Sequence, residues 1–188
     1  GGATDGKDQG DVAGSEEGRI DVHLSGYPQA IDAGVLSIRA SFSSWNGVKH
    51  SGNETILTDV LHGPLGFDGF VVSDWNAHGQ LPGCSNESCA LAFNAGIDMF
   101  MAPDSWKPLY ENTLAQVRSG EIPMARLDEA VRRILRVKVK TGLFDDSRPV
   151  EGHVNDLGSP AHRALAREAV RESPVLLPNE GVMTIRSN

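Results

Sequence analysis

Three short apolar runs, each coupled to a segment of helical spacing, constrain this chain more than any other feature. They are Val35-Leu36-Ser37-Ile38, Phe70-Val71-Val72 and Ile97-Asp98-Met99-Phe100-Met101. Each reads as a continuous strand instead of an alternating one, which is the signature of a parallel sheet covered by helices. The intervening helices have recognisable ends. One spans about Pro28 to Ala33 and stops at Gly34. Asn53 can cap a second, whose Ile56, Leu57, Val60 and Leu61 share one face. Ser85 or Asn86 can cap a third, running through Ala90, Phe93 and Asn94 to Gly96. Repeated βα units leave a barrel or a doubly wound sheet. No G-x-G-x-x-G follows any strand, so the dinucleotide-binding version loses its main support.

Further along, a helix is expected from about Ser105 to Ser119, ended by Gly120. Pro123 suits the first turn of another, running to about Lys140 with Leu127, Val131, Ile134 and Leu135 on its buried side. Residues 1–19 lack apolar periodicity and read as an exposed loop. Residues 145–158 have linker composition, Ser159-Pro160 opens a final helix, and Val175-Leu176-Leu177 reads as a strand. The expected organisation is therefore an α/β barrel portion over 1–144, a linker over 145–158, and the beginning of a second domain over 159–188.

Charge narrows the function classes. A formal net charge of −8 and a pI near 5.2 argue against a nucleic-acid surface, which needs a concentrated basic patch. The densest basic run, Arg132-Arg133 with Arg136, Lys138 and Lys140, has helical spacing and reads as a solvated face. No apolar stretch is long enough to span a bilayer, and no leader pattern opens the chain. The opening G-G-A-T-D-G, without Met, reads as the middle of something longer. The two cysteines, Cys84 and Cys89, flank four residues in a Gly- and Asn-containing segment, which suits a small closed loop; two free thiols are the alternative. A disulfide there would place the protein outside the cytoplasm, secreted or periplasmic. The histidines make no metal-binding spacing and no cofactor motif is present.

The run at 66–75, G-F-D-G-F-V-V-S-D-W, ends abruptly in Ser73, Asp74 and Trp75. Asp74 could simply cap a following helix. On a barrel it falls at the C-terminal end of its strand, the edge where (β/α)8 enzymes hold their active sites. Trp75 beside it offers an apolar platform for a sugar ring and one N–H donor. A carboxylate with an aromatic platform is what glycosyl transfer uses. The other acidic groups are weaker candidates. Asp98 lies inside its apolar run and suits a structural role on backbone amides; Asp59, Asp128 and Glu129 occupy helical positions facing solvent. His78, four residues past Asp74, is a possible cleft residue. No G-x-S-x-G elbow supports a serine nucleophile.

The strings S-S-W-N-G at 43–47, G-F-D-G-F-V-V-S-D-W at 66–75, A-G-I-D-M-F-M at 95–101 and I-P-M-A-R-L-D-E-A-V-R-R-I-L-R-V-K at 122–138 resemble glycoside hydrolase family 3, and within it bacterial exo-acting β-glucosidases and β-glucan glucohydrolases. The resemblance implies a (β/α)8 barrel followed by an α/β sandwich domain, with the chain covering the C-terminal portion of the barrel and the start of the sandwich. It implies hydrolysis of terminal β-glucosyl residues from β-glucosides or β-glucan oligosaccharides with retention, without a cofactor. Other activities of the family, β-xylosidase and β-N-acetylglucosaminidase, and a non-catalytic glycan-binding relic stand as alternatives. Asp74 matches the family's nucleophile and Trp75 its substrate contact. The family's acid/base Glu lies outside this chain; Glu54, Glu87 and Glu111 do not match its context. The Lys-His pair that grips sugar hydroxyls lies upstream of the opening stretch. Arg39 and Phe42 stand at substrate-binding positions where many members have Met and Tyr. Pro174 and Pro178 depart from the family where it continues without proline. Half a barrel would expose strand edges, so these 188 residues alone are expected to be inactive and poorly soluble.

Overall fold

In the computed structural model, which describes residues 3–15, 18, 20–147 and 152–175, the three apolar runs lie side by side as a parallel sheet. The strands are Asp11–Val12 (β1), Ser37–Arg39 (β2), Ser44–Trp45 (β3), Val48–Lys49 (β4), Phe70–Trp75 (β5) and Met99–Met101 (β6). Their order is β2-β5-β6 in one sheet and β1-β3-β4 in another. Chain order and pairing order agree in the first sheet, because each βα crossover returns the chain to the next strand position. Ile38 pairs with Val71 and Val72 with Met99. The ladder reaches one residue before β6, since the Asp98 N–H donates to the Val71 carbonyl at 2.9 Å. β5 runs three residues past the apolar run and includes Ser73, Asp74 and Trp75.

The helices are Gly26–Asp32 (α1), Ala90–Ala95 (α2), Trp106–Ser119 (α3), Met124–Lys140 (α4) and Pro160–Glu172 (α5). The expected helix at 56–61 forms as a π-helical segment, Thr55–Val60, with the Asn53 side chain accepting from the Ile56 N–H at 3.1 Å. Leu57 within it and Leu61 just past it are buried, so the apolar face is kept although the winding differs. Ser85 and Asn86 do not cap α2. That segment is a closed loop, and α2 starts at Ala90 directly after it. Gly96, at φ 125°, ends α2 in a conformation that a side chain would strain.

Two apolar clusters pack the sheet. One gathers Leu57, Leu61, Phe67, Val71 and Ile97; the other gathers Phe93, Val117, Ile122 and Ala130, and Phe100 packs against both. α4 turns inward only part of the apolar side its spacing suggested: Leu127 packs against the second cluster and Ile134 is half-buried. Ala130 and Arg133 are buried, whereas Val131 and Leu135 are exposed. The cause is ionic: Arg126 and Arg133 reach Asp98 at 2.8 and 3.2 Å, and this turns the arginine side of the helix inward. Arg133 is thus not part of a solvated face, and Glu129, at 2.6 Å from it, is half-buried in the same network.

The opening segment also carries structure that its composition hides. Asp11 accepts from the Ser44 hydroxyl at 2.7 Å and the Gly47 N–H at 2.9 Å, and these bonds, the Ser44 one foremost, hold its carboxyl below the usual carboxylate range. They fasten β1 to β3, where Asp11 pairs with Ser44. A side-chain hydrogen bond does here what apolar periodicity does in β5.

The chain divides into two compact units, Gly1–Phe144 and Asp145–Asn188. In the second, a turn at Val154–Asp156 precedes α5, whose N-terminus is capped by Ser159 accepting from the His162 N–H at 3.3 Å, with Pro160 in the first turn. Pro174 stands just past the helix end, where a missing N–H costs little. Leu176, Leu177 and Pro178 lie outside the described residues.

Candidate active site

The end of β5 is shaped by one extra residue. Val72 pairs with Met99 and Trp75 with Met101, so three steps along β5 match two along β6. Such a bulge bends the strand and re-aims the side chains around it. Ser73, fully buried, fills the irregularity: its Oγ accepts from the Met101 N–H at 2.7 Å and donates to the Asp74 carbonyl at 3.0 Å. Asn76 then turns the chain in the left-handed region, φ 53°, and its N–H donates to the Met101 carbonyl at 2.9 Å. Both backbone groups of Met101 are therefore gripped by the end of β5, and Asp74 is held between those grips.

The Asp74 side chain is 11% exposed, and the Trp75 residue next to it 57%. The Trp75 N–H donates to Asp74 Oδ1 at 2.7 Å, and Arg39 Nη1 lies 3.4 Å from the same oxygen. A carboxylate that is nearly buried, fixed at one oxygen and bordered by an exposed indole can present its other oxygen to a bound ring.

The sequence candidates separate in the structure. Asp74, Trp75 and Arg39 come together. Phe42 lies beneath the Lys49 ammonium, 5.7 Å from ring centre to Nζ, and its carbonyl accepts from the same group. His78 is fully buried, edge-on to Phe100 at 4.9 Å, with Nε2–H donating to the Asn86 carbonyl at 3.0 Å. Burial pushes its imidazole below the usual range, which suits a neutral packing role. Among the described residues, no group of three or more His, Cys, Asp or Glu side chains is placed to hold a metal ion.

The loop after β5 is cross-linked by contacts the sequence showed only in part. Cys84 and Cys89 are bonded, with Cα atoms 4.8 Å apart. The closed loop is tied to the α3 region by Ser105, Asn112 and Gln116, which donate to Asn86 O, Glu87 O and Ser88 Oγ at 2.8, 2.8 and 3.2 Å. A Cβ on Gly79 would stand 2.0 Å from Asn86 Oδ1 and 3.0 Å from Asn86 N, so a side chain there would have to displace the Asn86 side chain. Sequence reading missed Ser73, whose small polar side chain looks like the mere end of an apolar run. A largely apolar cavity also opens between β2 and the Thr55–Val60 segment, walled on one side by Ile38, Ile56, Leu57, Val60 and Leu65. Among the described residues no carboxylate lines it, although Arg39, His23 and His50 do.

The family model for the glycosyl hydrolase family 3 N-terminal domain matches residues 1–137. The chain belongs to glycosyl hydrolase family 3. Among family 3 relatives, it is 34% identical to a β-glucosidase of Rhizobium radiobacter over 166 residues, covering 88% of this chain and 19% of that protein. It is 34% identical to a periplasmic β-glucosidase of Salmonella typhimurium over 189 residues, covering 93% and 24%. The chain thus spans roughly a fifth to a quarter of the length of these curated relatives. Among solved structures, an exo-1,3/1,4-β-glucanase from a Pseudoalteromonas species is 49% identical, with a TM-score of 0.87 over 99% of this chain and 24% of that one.

Proposed function

We propose that the protein carrying this chain is a retaining exo-acting β-glucosidase of family 3, with Asp74 as its nucleophile. The observation that carries the reading is the carboxylate itself: nearly buried at the end of β5, held at Oδ1, and bordered by the exposed Trp75. Family membership and the β-glucosidase and exo-β-glucanase relatives support the substrate class, a terminal β-D-glucosyl residue of a β-glucoside or β-glucan oligosaccharide. In this reading the parallel sheet is the later part of a (β/α)8 barrel, residues 145–158 are a linker, and 159–188 begin an α/β sandwich domain.

The first step forms a bond between an Asp74 carboxylate oxygen and the anomeric carbon while the glycosidic C–O bond breaks. The leaving oxygen takes a proton from a carboxylic acid about 5–5.5 Å from Asp74. That acid is a Glu outside this chain. In the second step water, deprotonated by the same Glu, attacks the anomeric carbon and Asp74 leaves as carboxylate. Trp75 supplies the apolar face against which the ring is held. The disulfide and the periplasmic relative support secretion or a periplasmic location. The test is the stereochemical course, read by proton NMR on an aryl β-glucoside cleaved by the full gene product. The β-anomer of glucose forming first is expected; the α-anomer forming first contradicts the mechanism.

A further inference from the structure

The geometry points to Arg39 as the positioning residue of the nucleophile, and not as a grip on the sugar. This inference rests on the proposed role of Asp74. Arg39 ends β2, in register with Val72, two residues before Asp74 on the neighbouring strand. That register delivers a long side chain across the sheet edge, and Nη1 stops 3.4 Å from Asp74 Oδ1. The Trp75 N–H already holds the same oxygen at 2.7 Å.

Both of these hydrogen bonds fall on Oδ1. One donor from the next residue leaves a carboxylate free to swing about its own side-chain torsions, because donor and acceptor move on one short segment. A second donor from another strand adds an anchor fixed by the sheet. Two anchors on Oδ1 define the plane of the group and leave Oδ2 as the oxygen directed at the anomeric carbon. Holding the attacking atom within reach and in line is a large part of the catalysis available to such a group. The Arg39 side chain is 60% exposed, so it adds little to the folded state and its removal leaves the sheet intact.

The experiment measures covalent labelling by an aryl 2-deoxy-2-fluoro-β-glucoside in the full gene product, comparing wild type, Arg39→Ala and Arg39→Lys. Peptide mapping locates the label, and circular dichroism checks the fold of each variant. For Arg39→Ala the maximal labelling rate is expected to fall about tenfold, the loss of one charge-assisted hydrogen bond, with the reagent's dissociation constant unchanged. Lysine at 39, or guanidinium added to the alanine variant, is expected to restore much of the rate. An unchanged rate overturns the inference. Weaker reagent binding at an unchanged maximal rate also overturns it, since Arg39 would then hold sugar. A loss that neither lysine nor guanidinium restores counts against it equally. Label on Asp74 with any of these three outcomes leaves the proposed function standing, whereas label on another residue removes both.

Discussion

Asp74 and Asp98 sit at opposite ends of the same parallel sheet and are held in opposite ways. Asp98, just before β6, has a side chain with no exposure; its oxygens take the Val71 N–H at 2.9 Å, Arg126 at 2.8 Å and Arg133 at 3.2 Å. Asp74, at the end of β5, keeps 11% of its side chain exposed, and the hydrogen bonds that described residues make to its carboxylate both fall on Oδ1. A carboxylate saturated on both oxygens is spent on structure. One anchored on a single oxygen keeps the other for the nucleophilic role proposed for it.

The contrast can be broken most forcefully at Asp98. Asp98→Ala leaves two arginines with their buried partner gone, and removal of one member of a buried ion network costs about 3–5 kcal/mol. The full gene product is expected to lose the cooperative unfolding of its first unit in urea; a shift below about 1 kcal/mol, on the scale of an exposed pair, would mean that Asp98 is no anchor. A smaller loss is expected at the loop beyond Asp74. Replacing Cys84 and Cys89 by Ser reopens a loop of sequence separation 5, worth about 2 kcal/mol in the chain-entropy account. Thermal unfolding with and without reductant checks it, and the reductant effect should vanish in the double variant.

Ser73→Ala tests what lies between the two carboxylates. It removes the partner of the Met101 N–H and should cost about 1–2 kcal/mol, with turnover falling further than stability alone explains because the bulge presents Asp74. The smallest effect concerns pH. Burial holds the imidazoles of His62 and His78 below the ordinary 6.5, so the unfolded chain binds protons that the folded chain refuses. Their contribution to stability is present above pH 6.5 and declines as pH falls through their depressed folded values. Replacing either by Gln should flatten the stability profile in that window, and an unchanged slope counts against the burial of these rings as its cause.

How much of this was legible in the sequence follows from how far apart the partners stand. The end of β5 was legible because a continuous apolar run that stops at Ser-Asp-Trp has few readings, and Asp98 was legible as a backbone-binding group because it interrupts another run. Its arginines were not, since they lie 28 and 35 residues away and helical spacing made Arg133 look solvated. Arg39 likewise meets Asp74 across 35 residues, through a strand register that composition does not encode. β1 and β3 escaped because two-residue strands have no period, and the Asp11 carboxylate fastens them. The Thr55–Val60 segment kept its apolar face but not its winding, because i, i+3 and i+4 spacing serves an α- or a π-turn equally well over six residues.

The most direct test of the account is the site of covalent capture. After incubation of the full gene product with an aryl 2-deoxy-2-fluoro-β-glucoside, one fluoroglucosyl ester is expected on the peptide carrying Asp74. Asp74→Ala should take up no label, lose turnover by on the order of 10⁴-fold and unfold at the wild-type midpoint. An ester on any other carboxylate, or labelling that persists in Asp74→Ala, contradicts the assignment of Asp74 as the nucleophile.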